Sequence, residues 1–119
     1  MLKIYNTLTK THEDFIPIQG KDVSMYVCGP TVYSYIHIGN ARPVIFFDVL
    51  RNYLSFLGYK VNYVSNITDV DDKIINESKK LGITEKELTT KFTDAFIDST
   101  KKVGSNLPNQ MPKATDYID

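Results

Sequence analysis

The sequence predicts an α/β fold, a parallel sheet with flanking helices, and three observations carry that prediction. A compact apolar segment, Val23 to Cys28, reads as a strand buried on both faces. After a loop rich in glycine and proline, the stretch from about Gly39 to Leu57 has helical periodicity. A second β-rich segment, Lys60 to Ile67, follows directly, which is the strand, helix, strand order of a parallel βαβ unit with a right-handed crossover. Two strands around one helix do not complete a doubly wound sheet, so the domain is expected to be incomplete within these 119 residues.

Taken in order, Leu2 to Thr7 alternates apolar and polar side chains and is expected as an edge strand. The charged stretch Thr9 to Asp14 is expected to turn the chain, with His12 a solvated loop residue rather than a ligand, because no acidic or thiol partner is spaced near it. Phe15 to Ile18 is a short extended piece that Pro17 keeps from a central position, and Gly20 to Asp22 turns again. In the helix after the loop, Phe46, Phe47, Leu50, Tyr53, Leu54 and Leu57 form the apolar stripe, and Asp48, Arg51, Asn52 and Ser55 the polar one. Pro43 is placed in the first turn, where no helical partner is lost, and Gly58 terminates the helix.

Thr68 is expected to cap a second helix, Asp69 to Leu81, with Val70, Ile74 and Leu81 buried and Asp69, Asp71 and Asp72 near its positive end. Three carboxylates so placed compensate a helix dipole and are read as a solvated face rather than a metal site. Thr84 with Glu87 makes a capping box for a third helix to about Val103, whose apolar side comprises Leu88, Phe92, Ala95, Phe96, Ser99 and Val103. Its charges alternate without a basic stripe, so it is packing structure rather than an RNA-binding surface. Residues 1–104 are taken as one half-domain, and 105–119, holding Pro108 and Pro112, as a loop and the opening of a further helix.

Composition narrows the function classes. Fourteen basic residues balance 14 acidic ones, so no global field draws the chain to nucleic acid or an anionic membrane. No window approaches the roughly 18 apolar residues of a membrane span, and a cytoplasmic location is expected, with no membrane or protein partner evident. A single cysteine forms no internal disulfide, which leaves Cys28 as a free thiol, a thiolate ligand or a small buried side chain.

The chemistry gathers in the loop between the first apolar strand and the first long helix. A loop joining a strand's carboxyl end to a helix's amino end brings free backbone N–H groups and the positive end of the helix dipole together, and such a place binds phosphate. Within it lie Cys28, Gly29, Pro30, Thr31, His37, Gly39 and Asn40.

The run His37-Ile38-Gly39-Asn40, preceded by Gly29-Pro30-Thr31-Val32-Tyr33 and followed by Ala41-Arg42, resembles the nucleotide-binding signature of class I aminoacyl-tRNA synthetases, closest to the cysteinyl family. The opening Leu-Lys-Ile-Tyr-Asn-Thr-Leu-Thr, the block Met25 to Tyr33 and the block Asn66 to Lys73 resemble the same family in register, so the likeness runs through nearly the whole chain. A histidine–glycine tetrapeptide alone is a weak signal, and the cysteine nine residues before His37 makes it specific.

The resemblance implies a Rossmann-like catalytic domain that activates cysteine with ATP and Mg2+ and transfers it to tRNA(Cys). It implies ATP contacts from Pro30, Thr31, His37, Gly39 and Asn40, with His37 and Asn40 catalytic, and amino-acid contacts from Gly29 and Thr68. It also implies a Zn2+ ligand at Cys28, whose partner ligands, like the family's Lys-Met-Ser-Lys-Ser loop, are expected beyond residue 119, so the 119 residues alone are expected to be inactive. The family also has histidine at the position of Asn40. Asparagine donates a hydrogen bond but cannot become a cation, so no pH dependence is expected there.

The physical chemistry agrees with that implication. A carboxylate attacking the α-phosphate of ATP builds negative charge that positioned donors stabilise, and zinc takes a substrate thiolate in preference to a serine hydroxyl. Plainer roles stand beside these: a helix cap for His37, an N-cap for Thr68 and a buried thiol for Cys28. Two rivals share the residues, an ATP-dependent ligase joining cysteine to a small amine, as in the mycothiol pathway, and a non-catalytic piece that only binds nucleotide.

Overall fold

The computed structural model describes residues 1–118. An amino-terminal hairpin pairs β1 (Lys3–Asn6) antiparallel with β2 (Thr11–Asp14), with Lys10 in the left-handed conformation (φ 58°) at its turn. The expectation of a plain turn over Thr9 to Asp14 is thus corrected: Thr11-His-Glu-Asp is a strand without alternation because every one of its side chains is exposed, and no buried face imprints a period of two. His12 lies opposite Tyr5 in this hairpin, with ring centroids 5.3 Å apart edge to face. Phe15 to Ile18 forms no strand; the Phe15 N–H donates to the Leu2 carbonyl at 2.8 Å.

The site-bearing unit is β3 (Asp22–Val27), α1 (Ile38–Phe56) and β4 (Lys60–Ser65), with β3 and β4 paired parallel in one register. The parallel pairing is as expected. Burial of β3 on both faces is not: Val23 is buried, but Asp22, Ser24 and Tyr26 are exposed. The sheet gains a further line from the tail, since Gln110 and Lys113 form parallel bridges with Val64 and Ile67. There the carbonyls of Gln110 and Pro112 accept from the N–H groups of Ser65 (3.0 Å) and Ile67 (2.8 Å). Proline keeps its acceptor while losing its donor, so Pro112 fits an edge segment that reads as a loop in sequence. A short 3₁₀ turn at Ala114–Tyr117 follows, where a helix start was expected.

Helix α1 buries only part of its expected apolar stripe, Leu54 at 2 % exposure, and buries with it a residue from the polar side. Phe46, Tyr53 and Leu57 are exposed, Phe46 at 61 %, whereas Asp48 is 6 % exposed. Asp48 Oδ1 accepts from an Arg51 nitrogen at 2.6 Å, the other Arg51 nitrogen donates to the Leu107 carbonyl at 2.8 Å, and the guanidinium lies 5.3 Å from the Tyr63 ring centroid. Paired and hydrogen-bonded charges tolerate burial that isolated ones do not, and periodicity reports an apolar face without saying which neighbour it meets. Pro43 is also not in the first turn. It is the sixth residue of a helix that begins at Ile38, and the Gly39 carbonyl therefore lacks the N–H that a residue there would normally provide.

The second helix, α2 (Asp72–Leu81), starts later than expected and is capped by Asp71, whose Oδ1 accepts from the Lys73 N–H at 2.8 Å; Thr68 is not its cap. Asp69 instead accepts from the backbone N–H (3.0 Å) and hydroxyl (2.6 Å) of Thr115, so Asp69 holds the tail while Asp71 caps the helix. Ile74 is fully buried, while Val70 and Leu81 are exposed. The third helix, α3 (Glu85–Lys102), has the expected capping box of Thr84 and Glu87 and buries Leu88, Phe92 and Phe96, although Val103 is exposed. The core joins Val32, Ile67, Ile74, Leu88, Phe92 and Phe96, with Tyr33 and Ile36 packed against it. The loop after β3 is therefore anchored from below by its own apolar side chains.

Candidate active site

Folding brings two parts of that loop together. A cleft of about 100 Å³ is bounded on one side by Cys28, Gly29 and Pro30, at the carboxyl end of β3, and on the other by Gly39 and Asn40, in the first turn of α1. Tyr63 and Ser65 of β4 and Phe96 of α3 also line it. Five of the sequence-predicted site residues thus share one cleft, while Thr31, His37 and Thr68 stand outside its lining.

The start of α1 is closed by a reciprocal cap. His37 Nδ1 accepts from the Gly39 N–H at 3.0 Å, and Asn40 Oδ1 accepts from the His37 backbone N–H at 3.1 Å. The capping role of His37 is therefore real, and it has a chemical consequence. A ring nitrogen that accepts carries no proton, so in the neutral ring the proton sits on Nε2 and remains available to donate. The Asn40 amide likewise spends its oxygen on the cap and keeps its two N–H donors. No acidic residue occupies the first turn of α1, so the positive end of its dipole is uncompensated from within the helix.

Gly39 is required by the cap itself. A Cβ there would lie 2.7 Å from His37 Cε1 and 3.0 Å from Nδ1. At Gly29 the constraint is backbone on backbone, since a Cβ would fall 1.6 Å from the Asn66 carbonyl oxygen.

Cys28 is a free, exposed thiol whose one polar contact is a long one, 3.8 Å from Sγ to the Gly29 carbonyl. An accessible sulfur at a cleft rim suits a thiolate ligand and excludes the reading of a buried thiol. Among the described residues no group of three or more His, Cys, Asp or Glu side chains is placed to hold a metal.

Thr31 and Thr68 face each other across a parallel bridge, the Thr68 N–H donating to the Pro30 carbonyl at 3.0 Å and the Val32 N–H to the Thr68 carbonyl at 3.1 Å. Two residues that sequence reasoning did not assign emerge here. Tyr63 is buried beneath the cleft, and burial pushes its hydroxyl above the ordinary tyrosine range, an effect the nearby Arg51 charge opposes. Asn66 bonds to both Gly29 and Thr68. An alternating strand pattern predicts that Tyr63 points to one face, but only the register against β3 brings Asn66 to Gly29.

No described helix is long and apolar enough to cross a membrane. Residues 14–119 match the family model of the class I (C) tRNA synthetase catalytic domain. The chain is 59% identical over 119 residues to a cysteine–tRNA ligase of Acholeplasma laidlawii, covering 100% of this chain and 27% of that protein. It is 51% identical over 119 residues to a cysteine–tRNA ligase of Streptococcus thermophilus, with the same coverage. It is 52% identical over 118 residues to one of Streptococcus pyogenes, covering 99% of this chain and 26% of the relative. The chain therefore spans about a quarter of the length of these curated relatives. With the strand, capped loop and helix that the match includes, the chain belongs to the class I (C) tRNA synthetase catalytic-domain family.

Proposed function

We propose that these residues serve a cysteine–tRNA ligase, which activates cysteine with ATP and Mg2+ to cysteinyl-adenylate and transfers it to tRNA(Cys) in cytoplasmic translation. The observation that carries the proposal is the single cleft in which an exposed thiol, Cys28, faces the first turn of α1. Its relatives at 51% and 59% identity, named as cysteine–tRNA ligases, support it. On this reading residues 1–104 are the amino-terminal half of a Rossmann-like catalytic domain and 105–119 lead into its continuation.

In activation, a cysteine carboxylate oxygen bonds to the α-phosphorus of ATP as the bond to the β-phosphate bridging oxygen breaks, and pyrophosphate leaves. The charge that grows at phosphorus needs donors aimed at it in advance. His37 Nε2–H and the free Asn40 amide N–H groups are those donors, beside the positive end of the α1 dipole, with Pro30, Thr31 and Gly39 shaping the nucleotide's path. Gly29 and Thr68 border the amino acid. A zinc ion bound by the Cys28 thiolate, together with ligands from outside this chain, would offer the substrate sulfur a coordination position that a serine hydroxyl fills poorly.

The test is cysteine-dependent exchange of pyrophosphate into ATP by the full-length protein. Cys28→Ser is expected to lose zinc content and to narrow the preference for cysteine over serine. If activation and discrimination are both unchanged, the role of Cys28 is wrong. Removing one positioned donor, His37→Ala, is expected to lower the exchange rate by about 100- to 1,000-fold.

A further inference from the structure

The two strands that carry the site change register beside it. Val27 lies opposite Ser65, but Thr31 lies opposite Thr68, so four steps along one chain match three along the other. The extra residue falls at Cys28 to Pro30 and produces a bulge-like offset of the kind that re-aims side chains next to active sites. At the offset the ladder bond for the Gly29 N–H is replaced by a side chain: Asn66 Oδ1 accepts it at 2.8 Å. The other end of the same amide, Nδ2, donates to Thr68 Oγ1 at 3.2 Å. The orientation of the amide is not arbitrary, because only its oxygen can accept the backbone N–H, and its nitrogen must then face Thr68.

We infer that Asn66 is a positioning residue for amino-acid activation, one amide that fixes Gly29, and with it the neighbouring Cys28, against Thr68. It also sets the direction of the Thr68 hydroxyl. With its oxygen accepting from Asn66, that hydroxyl keeps its proton to donate, and an acceptor such as a carboxylate oxygen of the bound amino acid is the group it suits. The inference rests on the activity proposed above.

Asn66→Asp separates position from polarity. The isosteric carboxylate still accepts from the Gly29 N–H, but its second oxygen draws the Thr68 hydroxyl proton to itself. In the full-length protein, pyrophosphate exchange by Asn66→Asp is expected to show KM for cysteine raised about 10- to 100-fold, with KM for ATP and the melting temperature unchanged. Asn66→Asp combined with Thr68→Val is expected to be no worse than Thr68→Val alone, because both remove one interaction. Additive losses in the double variant, a parallel rise in both KM values that tracks melting temperature, or wild-type kinetics in Asn66→Asp each overturn the inference. Absence of cysteine-dependent exchange in the unsubstituted protein overturns the proposed activity itself, and this inference with it.

Discussion

Gly29 and Gly39 lack a side chain for different reasons, and substitution should separate them. At Gly29 the obstacle is the Asn66 carbonyl oxygen, 1.6 Å from the position of a Cβ, and a backbone atom cannot step aside. Gly29→Ala should force β3 and β4 apart at their carboxyl ends and cost about 2–3 kcal/mol in urea unfolding. At Gly39 the obstacle is the His37 ring, which can rotate. Gly39→Ala should cost only about 1 kcal/mol, the value of the lost cap, yet reduce pyrophosphate exchange by about 100-fold, because the imidazole is displaced. If unfolding and exchange fall in proportion in both variants, the distinction fails. The glycines were legible in the sequence as residues of the loop expected to hold the substrates. Which atom each one avoids was not, since both obstacles belong to contacts that exist only after folding.

Among the elements, α3 was the most completely legible, because its signals are local. Thr84 Oγ1 accepts from the Glu87 N–H at 3.2 Å, and a Glu87 carboxylate oxygen accepts from the Thr84 N–H at 2.8 Å. The backbone and hydroxyl of Thr84, donating to the carboxylate, hold the Glu87 carboxyl below its ordinary value of 4.5. A carboxyl whose pKa is lowered by folding stabilises the fold above its unfolded pKa and loses that contribution as pH falls through the folded one. Stability measured by urea titration should therefore decline below about pH 4.5 with a share that Glu87→Gln removes, leaving a flatter acid limb. An unchanged acid limb would assign that share elsewhere. Helix α2 was less legible: its start moved from Asp69 to Asp72, because Asp69 is engaged by Thr115, far along the chain, and Asp71 takes the cap. The strand β2 was missed because an exposed hairpin carries no burial pattern to read.

For the molecule as a whole, the pair of buried Asp48 and partly buried Arg51 ties α1 to the tail through the Leu107 carbonyl and covers the Tyr63 ring that floors the cleft. Asn109 extends the tie, its Oδ1 accepting from the Tyr63 N–H at 2.8 Å. Removing one member of such a pair leaves the other charge buried and unpaired, which costs more than the pair contributes net. Arg51→Met should destabilise by about 3–5 kcal/mol and accelerate amide exchange at the Ser65 N–H, bonded to the tail. Asp48→Leu combined with Arg51→Met should recover part of the loss. A single variant as stable as the original protein would show that the pair is dispensable.

Local signals in the chain already specify the order strand, helix, strand, the capping of α3, the loop that carries Cys28, His37, Gly39 and Asn40, and the family resemblance, which the family match bears out. These are properties of neighbouring residues, fixed by turn chemistry, capping and short-range periodicity. Tertiary structure alone decided that α1 packs with Asp48 inward, that residues 110–113 join the sheet, and that Asn66 spans a register offset between Gly29 and Thr68. Each of these depends on which partner a face or an edge meets. Partners separated by tens of residues leave no periodic trace in the chain until the strands have paired.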